Sequence, residues 1–426
     1  MAYKILWYSL PSLLDSSSGA AIRCKLMLEK LTEQDIEVVV LNAAITDDVQ
    51  GMSTLNAIKE QLQPSVEVGG QKCFYHVNIG KLTYFVHASK SCEVDDFTNA
   101  EQSQMFLMFA HLLEQFQPDL LMTYSADIFS SAIRSEAKAR GISVVYALCN
   151  GSHMSFGFND CDMVFTTSKA TSDLYAQQTG VNVEHVGNFI EASQVVAPIE
   201  VRDPKYITLI NPSPSKGLAI FIKLVLSYHH KHPEQRFLIV KSRSKYEQNL
   251  CALHYADGTP LVDAKRHNPV PMIDVAEHTQ NIANVYALTK VLVAPSLWHE
   301  SWGRVVTEAN FNGIPVLATD NGGLYEAMGN GLGGKCLPIP LSCQNDYWCL
   351  PTDEEIAPYV EALEHLVNTD YSQACAQATQ INSIASSVAR LYKLLYPLLK
   401  QGAANKNPSG NSYYHNKIYL KKHNNR

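Results

Sequence analysis

The sequence predicts an α/β protein made of two doubly wound domains, each a parallel β-sheet covered by helices. Short apolar runs alternate with stretches of helical periodicity through the first half of the chain, and this alternation resumes after a break at residues 198–204. Runs this apolar are typical of strands buried on both faces, as in parallel sheets. The length of 426 residues exceeds one ordinary hydrophobic core and favours two or three domains.

Apolar periodicity places the elements of the first half. Pro118 ends one expected helix and Gly141 closes the next. The Met and aromatic residues of 101–116 are read as core-packing residues of a helix. Strands are expected at 5–8, 38–41, 73–77, 82–86, 120–123, 142–148 and 163–167, and helices at 20–31, 101–116, 130–139 and from Ser168 onward.

The same signals define the second half and the domain limits. We expect an N-terminal domain over 1–197, a second domain over 198–375, a C-terminal helix over 376–401 and a disordered tail over 402–426, where Asn, Lys, Ser and Gly dominate. Strands are expected at 206–210, 237–240, 291–293 and 315–318, and helices at 218–230, 282–288, 302–311, 354–368 and 371–400.

Composition limits the possible partners and location. A net charge of −7 and a pI near 6.1 disfavour sequence-independent nucleic-acid binding, which needs a basic field, but leave room for a small basic patch at a membrane. The ten cysteines form no Cys-x-x-Cys pair and are read as mostly buried residues of a reducing compartment. Since no apolar run suits a signal peptide or approaches the ~20 residues of a membrane span, we expect a cytosolic protein.

The sharpest chemical signal is the run 295–309, which reads PSLWHESWGRVVTEA. A buried strand ends at Pro295, a loop presents Glu300, and a helix is expected to begin around 301–303. The free N–H groups and the positive dipole at this helix end suit a phosphate, and Gly303 lets that phosphate approach the backbone closely. The run therefore indicates an anion site beside a carboxylate.

Two acids in this run have helical spacing. Glu300 and Glu308 are eight positions apart, a little over two turns, which places both on roughly the same side of a helix. Each carboxylate can accept hydrogen bonds from vicinal hydroxyls, one pair on a hexose and one on a ribose. The alternative, which two acids alone would not exclude, is a pair of solvated carboxylates on an exposed helix.

The run resembles the signature of retaining glycosyltransferases of the family 4 type (group 1 glycosyltransferases), as do NGIPV at 312–316 and ATDNGGLYE at 318–326. Lys216-Gly217, after a strand and before a helix, is similar to the Lys-Gly of this family that meets the donor diphosphate. The resemblance implies the GT-B fold: two Rossmann-like domains facing across a cleft, the first on the acceptor side, the second on the donor side, and a C-terminal helix that crosses back to the first.

The resemblance also assigns roles to residues. It implies catalytic roles for three of them: Glu300, Lys216 and His153. It implies donor binding by Gly19, Lys216, Arg243, Glu300, Ser301, Gly303, Arg304, Val305, Glu308, Gly322 and Gly323.

Several of these residues have plainer readings. Lys216 can be an exposed surface lysine, His153 a capping or loop histidine, and Gly19 part of an ordinary turn. The family often has an Arg shortly before the Lys, where this chain has Asn211 and Pro212. Arg243 or Lys241 would supply the second cation, and a surface role for Arg243 is equally open.

The implied activity is transfer of a hexosyl or N-acetylhexosaminyl group from a nucleotide-diphosphate sugar to a glycan, lipid-linked or small-molecule acceptor, with retention of configuration. With this activity we expect a role in polysaccharide biosynthesis and peripheral contact with the inner face of the membrane. No cofactor or metal is expected, since no metal cluster is visible and the chain is read as lacking an Asp-x-Asp motif, the usual mark of a diphosphate-bound cation. Rivals are a GT-B sugar phosphorylase, a nucleotide-sugar epimerase and a non-catalytic nucleotide-sugar-binding protein. A dinucleotide-dependent oxidoreductase is disfavoured because no Gly-x-Gly-x-x-Gly follows an early strand.

Overall fold

The computed structural model describes residues 2–242, 244–262, 268–279 and 281–405. The chain forms two compact units. Unit 1 contains Met1–Thr166, Tyr175–Phe189 and the chain from Val388, whereas unit 2 contains Thr167–Leu174 and Ile190–Ser387.

Unit 1 is built on a nine-stranded sheet of order β3-β4-β5-β2-β1-β6-β7-β8-β9. Its strands are β1 (Tyr3–Pro11), β2 (Ile36–Ile45), β3 (Val66–Val68), β4 (Gln71–Ile79), β5 (Leu82–His87), β6 (Leu120–Thr123), β7 (Ser143–Ala147), β8 (Met163–Thr166) and β9 (Glu184–His185). Its helices are α1 (Gly19–Leu31), α2 (Ser53–Gln61), α3 (Asn99–Gln115), α4 (Ile128–Ala139) and the second part of α5 (Lys169–Thr179).

The first sheet is mixed, which corrects the prediction of a parallel sheet. In the part of the sheet ordered β5-β2-β1-β6-β7-β8-β9, neighbouring strands are parallel. The β3–β4 and β4–β5 pairs are antiparallel. The short connection at Gly80 (φ 59°) explains the antiparallel β4–β5 pair, because a tight turn can join only antiparallel neighbours. One face of the sheet packs against α3, where Met105, Met108 and Phe109 are buried as expected.

Unit 2 is built on a six-stranded, fully parallel sheet of order β12-β11-β10-β13-β14-β15. Its strands are β10 (Tyr206–Ile210), β11 (Arg236–Val240), β12 (Ile273–Ala276), β13 (Thr289–Ala294), β14 (Val316–Thr319) and β15 (Gly334–Leu337). Its helices are α6 (Leu218–His229), α7 (Tyr246–Ala252), α8 (Ala283–Leu288), α9 (Arg304–Phe311), α10 (Leu324–Ala327), α11 (Leu341–Asn345), α12 (Asp353–Asn368) and α13 (Ser372–Ile381).

Helices cover both faces of this second sheet. Val291 and Val293 of β13 share a buried cluster with apolar residues of α6 and α12. The alternate residue Leu292 belongs to a different cluster, with Val306 and Ala309 of α9. Because successive side chains of a strand point to opposite faces, the two clusters lie on opposite sides of the sheet. The doubly wound prediction is confirmed for this unit.

The end of the chain differs from the single helix expected at 371–400. It contains α13 and a separate helix, α14 (Ile384–Asn405), whose residues from Val388 belong to unit 1. Asn382 separates the two helices, since its side-chain amide donates to the carbonyls of Glu326 (3.0 Å) and Ala327 (2.9 Å). Helix α14 also continues to Asn405, into the stretch predicted as a tail. The rest of that tail, 406–426, lies outside the described residues.

The unit limits also differ from the predicted boundary after residue 197. Residues 190–197 belong to unit 2, where the backbone N–H of Ala197 donates to Asn312 Oδ1 at 2.8 Å. The first turn of α5 belongs there too, because Glu326 accepts hydrogen bonds from the N–H groups of Lys169 and Ala170, both at 2.8 Å. Such long-range contacts are not visible in local composition.

Candidate active site

The loops that follow β10, β13 and β14 lie at one edge of the second sheet. The three strands are adjacent and parallel, so their carboxyl ends share that edge, where open α/β sheets bind ligands. The loops cover residues 211–217, 295–303 and 320–323. They contain most of the residues that the sequence predicted for the donor site.

The loop after β10 positions Lys216. Ser215 accepts hydrogen bonds through its carbonyl from the N–H groups of Leu297 (2.9 Å) and Trp298 (3.0 Å). Gly217 has a φ of 81°, and a Cβ there would lie 1.9 Å from the carbonyl oxygen of Pro295. Only glycine combines this left-handed backbone with so close an approach. The Lys-Gly pair therefore packs directly against the Glu300 loop.

Lys216 and Glu300 form an ion pair at this edge. Nζ of Lys216 donates to Oε1 of Glu300, and the hydroxyl of Ser296 donates to the same oxygen at 2.9 Å. The side chains of Lys216 and Glu300 are 32% and 16% exposed. The structure thus brings the two predicted groups together, with one face of the pair open to solvent.

Gly322 and Gly323 fix the backbone of Glu300. The N–H of Gly323 donates to the Glu300 carbonyl at 2.7 Å, and Gly322 forms a parallel β-bridge with Glu300. At Gly322 (φ 64°) a Cβ would lie 2.2 Å from the same carbonyl oxygen. Close packing between two loops accounts for this Gly-Gly pair without a ligand.

Helix α9 begins at Arg304, with Gly303 at its N-cap. Gly303 has a φ of 92°, and a Cβ there would lie 2.4 Å from Cδ2 of Leu324. No described side chain caps this end of the helix. The N–H groups of Arg304 and Val305 belong to the first turn of α9, whose N–H groups an anion can bind.

The predicted geometry of Glu300 and Glu308 is wrong in one respect. Only Glu308 lies on α9, because the helix begins four residues after Glu300. The Glu300 backbone is extended and pairs with the loop after β14. Helical spacing therefore does not relate the two carboxylates, and the sequence signal misled because the loop before the helix is longer than expected.

Glu308 is a buried carboxylate with protein partners. Its Oε2 accepts from the hydroxyl of Tyr286 at 2.8 Å, and its Oε1 accepts from Nε of Arg304. Burial, and then the charge of Glu308, raise the pKa of Tyr286 well above its usual value. Nη1 of Arg304 is buried and has no hydrogen-bond partner among the described residues. One guanidinium donor thus remains available next to the first turn of α9.

Several contributors were not singled out by the sequence. Ser296 binds the Glu300 carboxylate, and Asn321 donates to the carbonyls of Ser296 (3.3 Å) and Trp298 (3.0 Å). Tyr286 binds Glu308 from α8. Ser296 and Asn321 fall inside the recognised motifs, but a small polar residue in a loop gives no signal of its partner. Tyr286 reads from sequence only as a buried aromatic residue.

The remaining donor-site predictions in unit 2 have mixed outcomes. The Ser301 carbonyl accepts from the hydroxyl of Thr167 at 2.7 Å, so its backbone has a structural role. Arg243 lies outside the described residues. Lys241 is paired with Glu247 (2.7 Å) and Glu277 (3.1 Å), and these carboxylates raise its pKa. Lys241 is therefore already neutralised by acids of this unit.

Unit 1 holds the other two predicted residues. Gly19 is the first residue of α1, after the N-cap Ser18. Apart from the adjoining residues and helix backbone, no heavy atom of the described residues would lie within 4 Å of a Cβ placed there. His153 is half-buried, burial lowers its pKa, and its backbone N–H donates to the hydroxyl of Tyr175 at 2.9 Å. These contacts assign neither residue a ligand, and their roles stay predictions.

The carboxylates of the described residues form no evident metal site. No group of three or more His, Cys, Asp or Glu side chains suited to a metal occurs among them. One Asp-x-Asp triplet is present, Asp160-Cys161-Asp162, which corrects the reading of the sequence as lacking this motif. In unit 1 Asp160 accepts from the hydroxyl of Ser135, and Asp162 binds Lys138 (2.5 Å) and the N–H of Val144 (2.7 Å). Its carboxylates thus make contacts within the fold.

The length and apolar character of a helix decide whether it can span a membrane. Within 2–242, 244–262, 268–279 and 281–405, the helices all fall short of the length and apolar character that spanning a bilayer demands.

Comparison with known proteins identifies the relatives of this chain. Residues 190–365 match the family model of glycosyl transferases group 1. A D-inositol 3-phosphate glycosyltransferase of Corynebacterium kroppenstedtii is 24% identical over 173 residues, which cover 39% of this chain and 37% of that relative. The chain thus aligns with well under half the length of this curated relative.

Solved structures match over nearly the whole chain. HepE from Anabaena, solved in complex with UDP-glucose, has a TM-score of 0.60 at 16% identity, covering 92% of this chain and 99% of that chain. Sucrose-phosphate synthase from Thermosynechococcus elongatus has a TM-score of 0.63 at 13% identity, covering 93% and 99%. The chain therefore has the GT-B fold of these structures, and its residues 190–365 match the group 1 glycosyl transferases.

Proposed function

We propose that this protein is a glycosyltransferase that moves a sugar from a nucleotide-diphosphate sugar to an acceptor with retention of anomeric configuration. The observation that carries the proposal is the Lys216–Glu300 ion pair, which lies on loops at the carboxyl edge of the second sheet. Loops at that edge carry a cation and a carboxylate, and one of these loops leads into the N-terminus of α9, which no described side chain caps. Together they match the needs of a sugar diphosphate.

The donor diphosphate is held by Lys216 and by the first turn of α9. An ammonium group has three N–H donors, so Lys216 can keep Glu300 and also bind a phosphate oxygen. The buried Nη1 of Arg304, which lacks a partner among the described residues, supplies a further donor. Charge neutralisation by these groups needs no divalent cation, and we propose a metal-free, cofactor-free enzyme.

The transferred sugar is bound by Glu300. Its carboxylate has lone pairs beyond those used by Lys216 and Ser296, and these can accept from hexose hydroxyls. No general base is assigned. A donor phosphate oxygen assists deprotonation of the acceptor, and the cations stabilise the charge on the departing nucleotide diphosphate. Gly19 and His153 of unit 1 complete the proposal, as a donor-phosphate contact and a contact to the sugar or acceptor.

The substrates proposed for the first trials come from the similar proteins. HepE was solved with UDP-glucose, so UDP-glucose is the first donor, followed by UDP-N-acetylglucosamine and the GDP and ADP sugars. The Corynebacterium relative is named for D-inositol 3-phosphate, so an inositol phosphate is the first acceptor, beside glycan and lipid-linked acceptors. We place the enzyme in the cytoplasm, in polysaccharide biosynthesis, with peripheral contact at the inner face of the membrane.

The alternatives differ in products. A GT-B phosphorylase would form sugar 1-phosphate when inorganic phosphate is supplied, and an epimerase would change the donor without an acceptor. A non-catalytic binding protein would leave the donor intact.

The test is a thermal-shift screen with nucleotide diphosphates and their sugars, followed by NMR of the products. A ligand at ~100 times its dissociation constant adds ~2.7 kcal/mol to stability. The proposal predicts a stabilising donor and a retained anomeric configuration. Binding without turnover in any acceptor would favour the binding protein.

A further inference from the structure

A cluster of two thiols and a guanidinium lies in unit 1 and includes none of the residues proposed for transfer. Arg23 and Cys24 are consecutive residues of α1, and Cys149 follows β7. Nη2 of Arg23 donates to Sγ of Cys149 at 2.8 Å, and the Cys24 and Cys149 sulfur atoms are 3.9 Å apart. Arg23 is 7% exposed and Cys24 is fully buried, whereas Cys149 is only half-buried. Cys149 is thus the member that a small reagent reaches first.

The two thiols differ in acidity. The hydrogen bond with Cys24 and the guanidinium of Arg23 lower the pKa of Cys149 to about 7, against the opposing effect of burial. Burial raises the pKa of Cys24 well above its usual value. A thiolate is the nucleophilic form of cysteine. At neutral pH the pair therefore consists of a partly ionised Cys149 and a protonated Cys24.

We propose that Cys149 and Cys24 form a peroxide-oxidisable pair, in which Cys149 reacts first and Cys24 then closes a disulfide. The Cys149 thiolate attacks one oxygen of hydrogen peroxide, the O–O bond breaks, and the departing hydroxide takes a proton to form water. Cys149 becomes a sulfenic acid. The Cys24 sulfur then attacks the Cys149 sulfur, the S–O bond breaks, and the Cys24 proton leaves with the hydroxyl as water. Two electrons pass from the two sulfurs to the peroxide.

The geometry favours the second step. A disulfide needs an S–S distance of ~2.05 Å, so the two sulfurs must approach by roughly 2 Å, a movement within the range of side-chain rotation. The disulfide is neutral, so Arg23 loses its anionic partner while it remains buried. Cys149 also begins the loop to His153, whose N–H is held by Tyr175. Oxidation therefore acts at the base of a loop with a predicted role in the reaction.

The test uses the full-length reduced protein treated with hydrogen peroxide and analysed by mass spectrometry. We expect loss of two hydrogen atoms and a peptide that joins Cys24 to Cys149, reversed by dithiothreitol. Iodoacetamide at pH 7 should label Cys149 about threefold faster than the exposed Cys251 of unit 2, because the thiolate is the reactive form and Arg23 stabilises the thiolate of Cys149. Equal or slower labelling of Cys149 would overturn the proposal, as would a disulfide that omits either residue.

Two variants sharpen the result. Cys24→Ala should stop the reaction at the sulfenic acid, detected as gain of one oxygen atom on Cys149, and Arg23→Gln should slow the first step. Circular dichroism checks that each variant is folded. If a folded Cys24→Ala protein shows no oxygen on Cys149, the order of steps is wrong. Since the wild-type measurement needs no variant, misfolding of either one leaves the proposal open to refutation.

Discussion

Two ion pairs formed by predicted site residues of unit 2, Lys216–Glu300 and Arg304–Glu308, have different surroundings. The Glu300 side chain is 16% exposed and its lysine partner 32% exposed. The Glu308 side chain is 4% exposed, and its arginine partner is 28% exposed. The hydroxyl of Tyr286 also binds Glu308. The first pair joins two loops, whereas the second joins residues one turn apart on α9.

The difference in exposure between Glu300 and Glu308 indicates which carboxylate can exchange partners. A pair whose two side chains are both partly exposed costs little to rearrange, because water or a ligand replaces what is lost. A pair whose carboxylate is buried is costlier to break, since that charge would stay in the protein interior without compensation. We therefore expect substitutions at the Lys216–Glu300 pair to change chemistry and binding. Substitutions at the Arg304–Glu308 pair should first change stability.

The largest effect is expected for Glu300→Gln. The amide keeps the volume but removes the charge that faces Lys216 and the proposed sugar, so turnover should fall at least ~100-fold with an unchanged melting temperature. Glu361→Gln, at an exposed position of α12, is the matched control and should behave as wild type. Full turnover by purified Glu300→Gln would remove Glu300 from the reaction and make the two pairs alike.

Lys216→Met should separate phosphate binding from nucleoside binding. Loss of a charge-assisted hydrogen bond costs ~1.5–3 kcal/mol, so the nucleotide diphosphate should bind roughly 10–150-fold more weakly and the free nucleoside as before. Lys223→Met makes the same change on α6, where Lys223 is paired with Asp353 at 2.5 Å, and should alter neither affinity. Calorimetry that shows equal losses for both ligands in Lys216→Met would refute the phosphate contact.

Glu308→Gln should mainly lower the free energy of unfolding, by ~1–3 kcal/mol, because Arg304 loses its carboxylate partner. Tyr286→Phe removes only the hydroxyl and should cost less, about 1 kcal/mol. Denaturant unfolding compares the two. The ribose role implied by the family resemblance adds a second readout: a ribonucleotide should lose affinity in Glu308→Gln while its 2′,3′-dideoxy analogue does not. Equal changes for both nucleotides would leave Glu308 with a structural role alone.

Chelation should have the smallest effect. Lys216, Arg304 and the first turn of α9 supply positive charge for the proposed diphosphate, so transfer should continue in excess EDTA at the untreated rate. The assay is turnover before and after dialysis against EDTA. Complete loss of transfer, restored by magnesium or manganese, would show that a cation belongs to the site.

Much of the fold could be predicted from periodicity. The strands at 120–123 and 206–210 match β6 and β10 to the residue, because short apolar runs with clear flanking signals leave little freedom. The antiparallel edge of the first sheet and the break at Asn382 could not be predicted. Both depend on contacts between distant segments, and such contacts leave no local pattern.

The site was predictable to the level of residue types and of the loops that carry them. Lys216 and Glu300 were each predicted as donor-site residues from their motifs, but the ion pair between them became visible only in the structure. Glu308 was placed correctly on a helix, but its burial against Tyr286 and Arg304 depends on packing that spacing alone does not encode. The packing role of Gly322 against the Glu300 carbonyl likewise became visible only with the backbone geometry.

The most direct test of the central claim is a crystal structure of the protein with a nucleotide diphosphate. The account predicts that a diphosphate oxygen lies within ~3 Å of Nζ of Lys216 and that another accepts from the first-turn N–H groups of α9. Glu300 should keep its contact with Ser296. A diphosphate bound elsewhere in unit 2, with the Lys216–Glu300 pair undisturbed and no ligand beside it, would contradict the account.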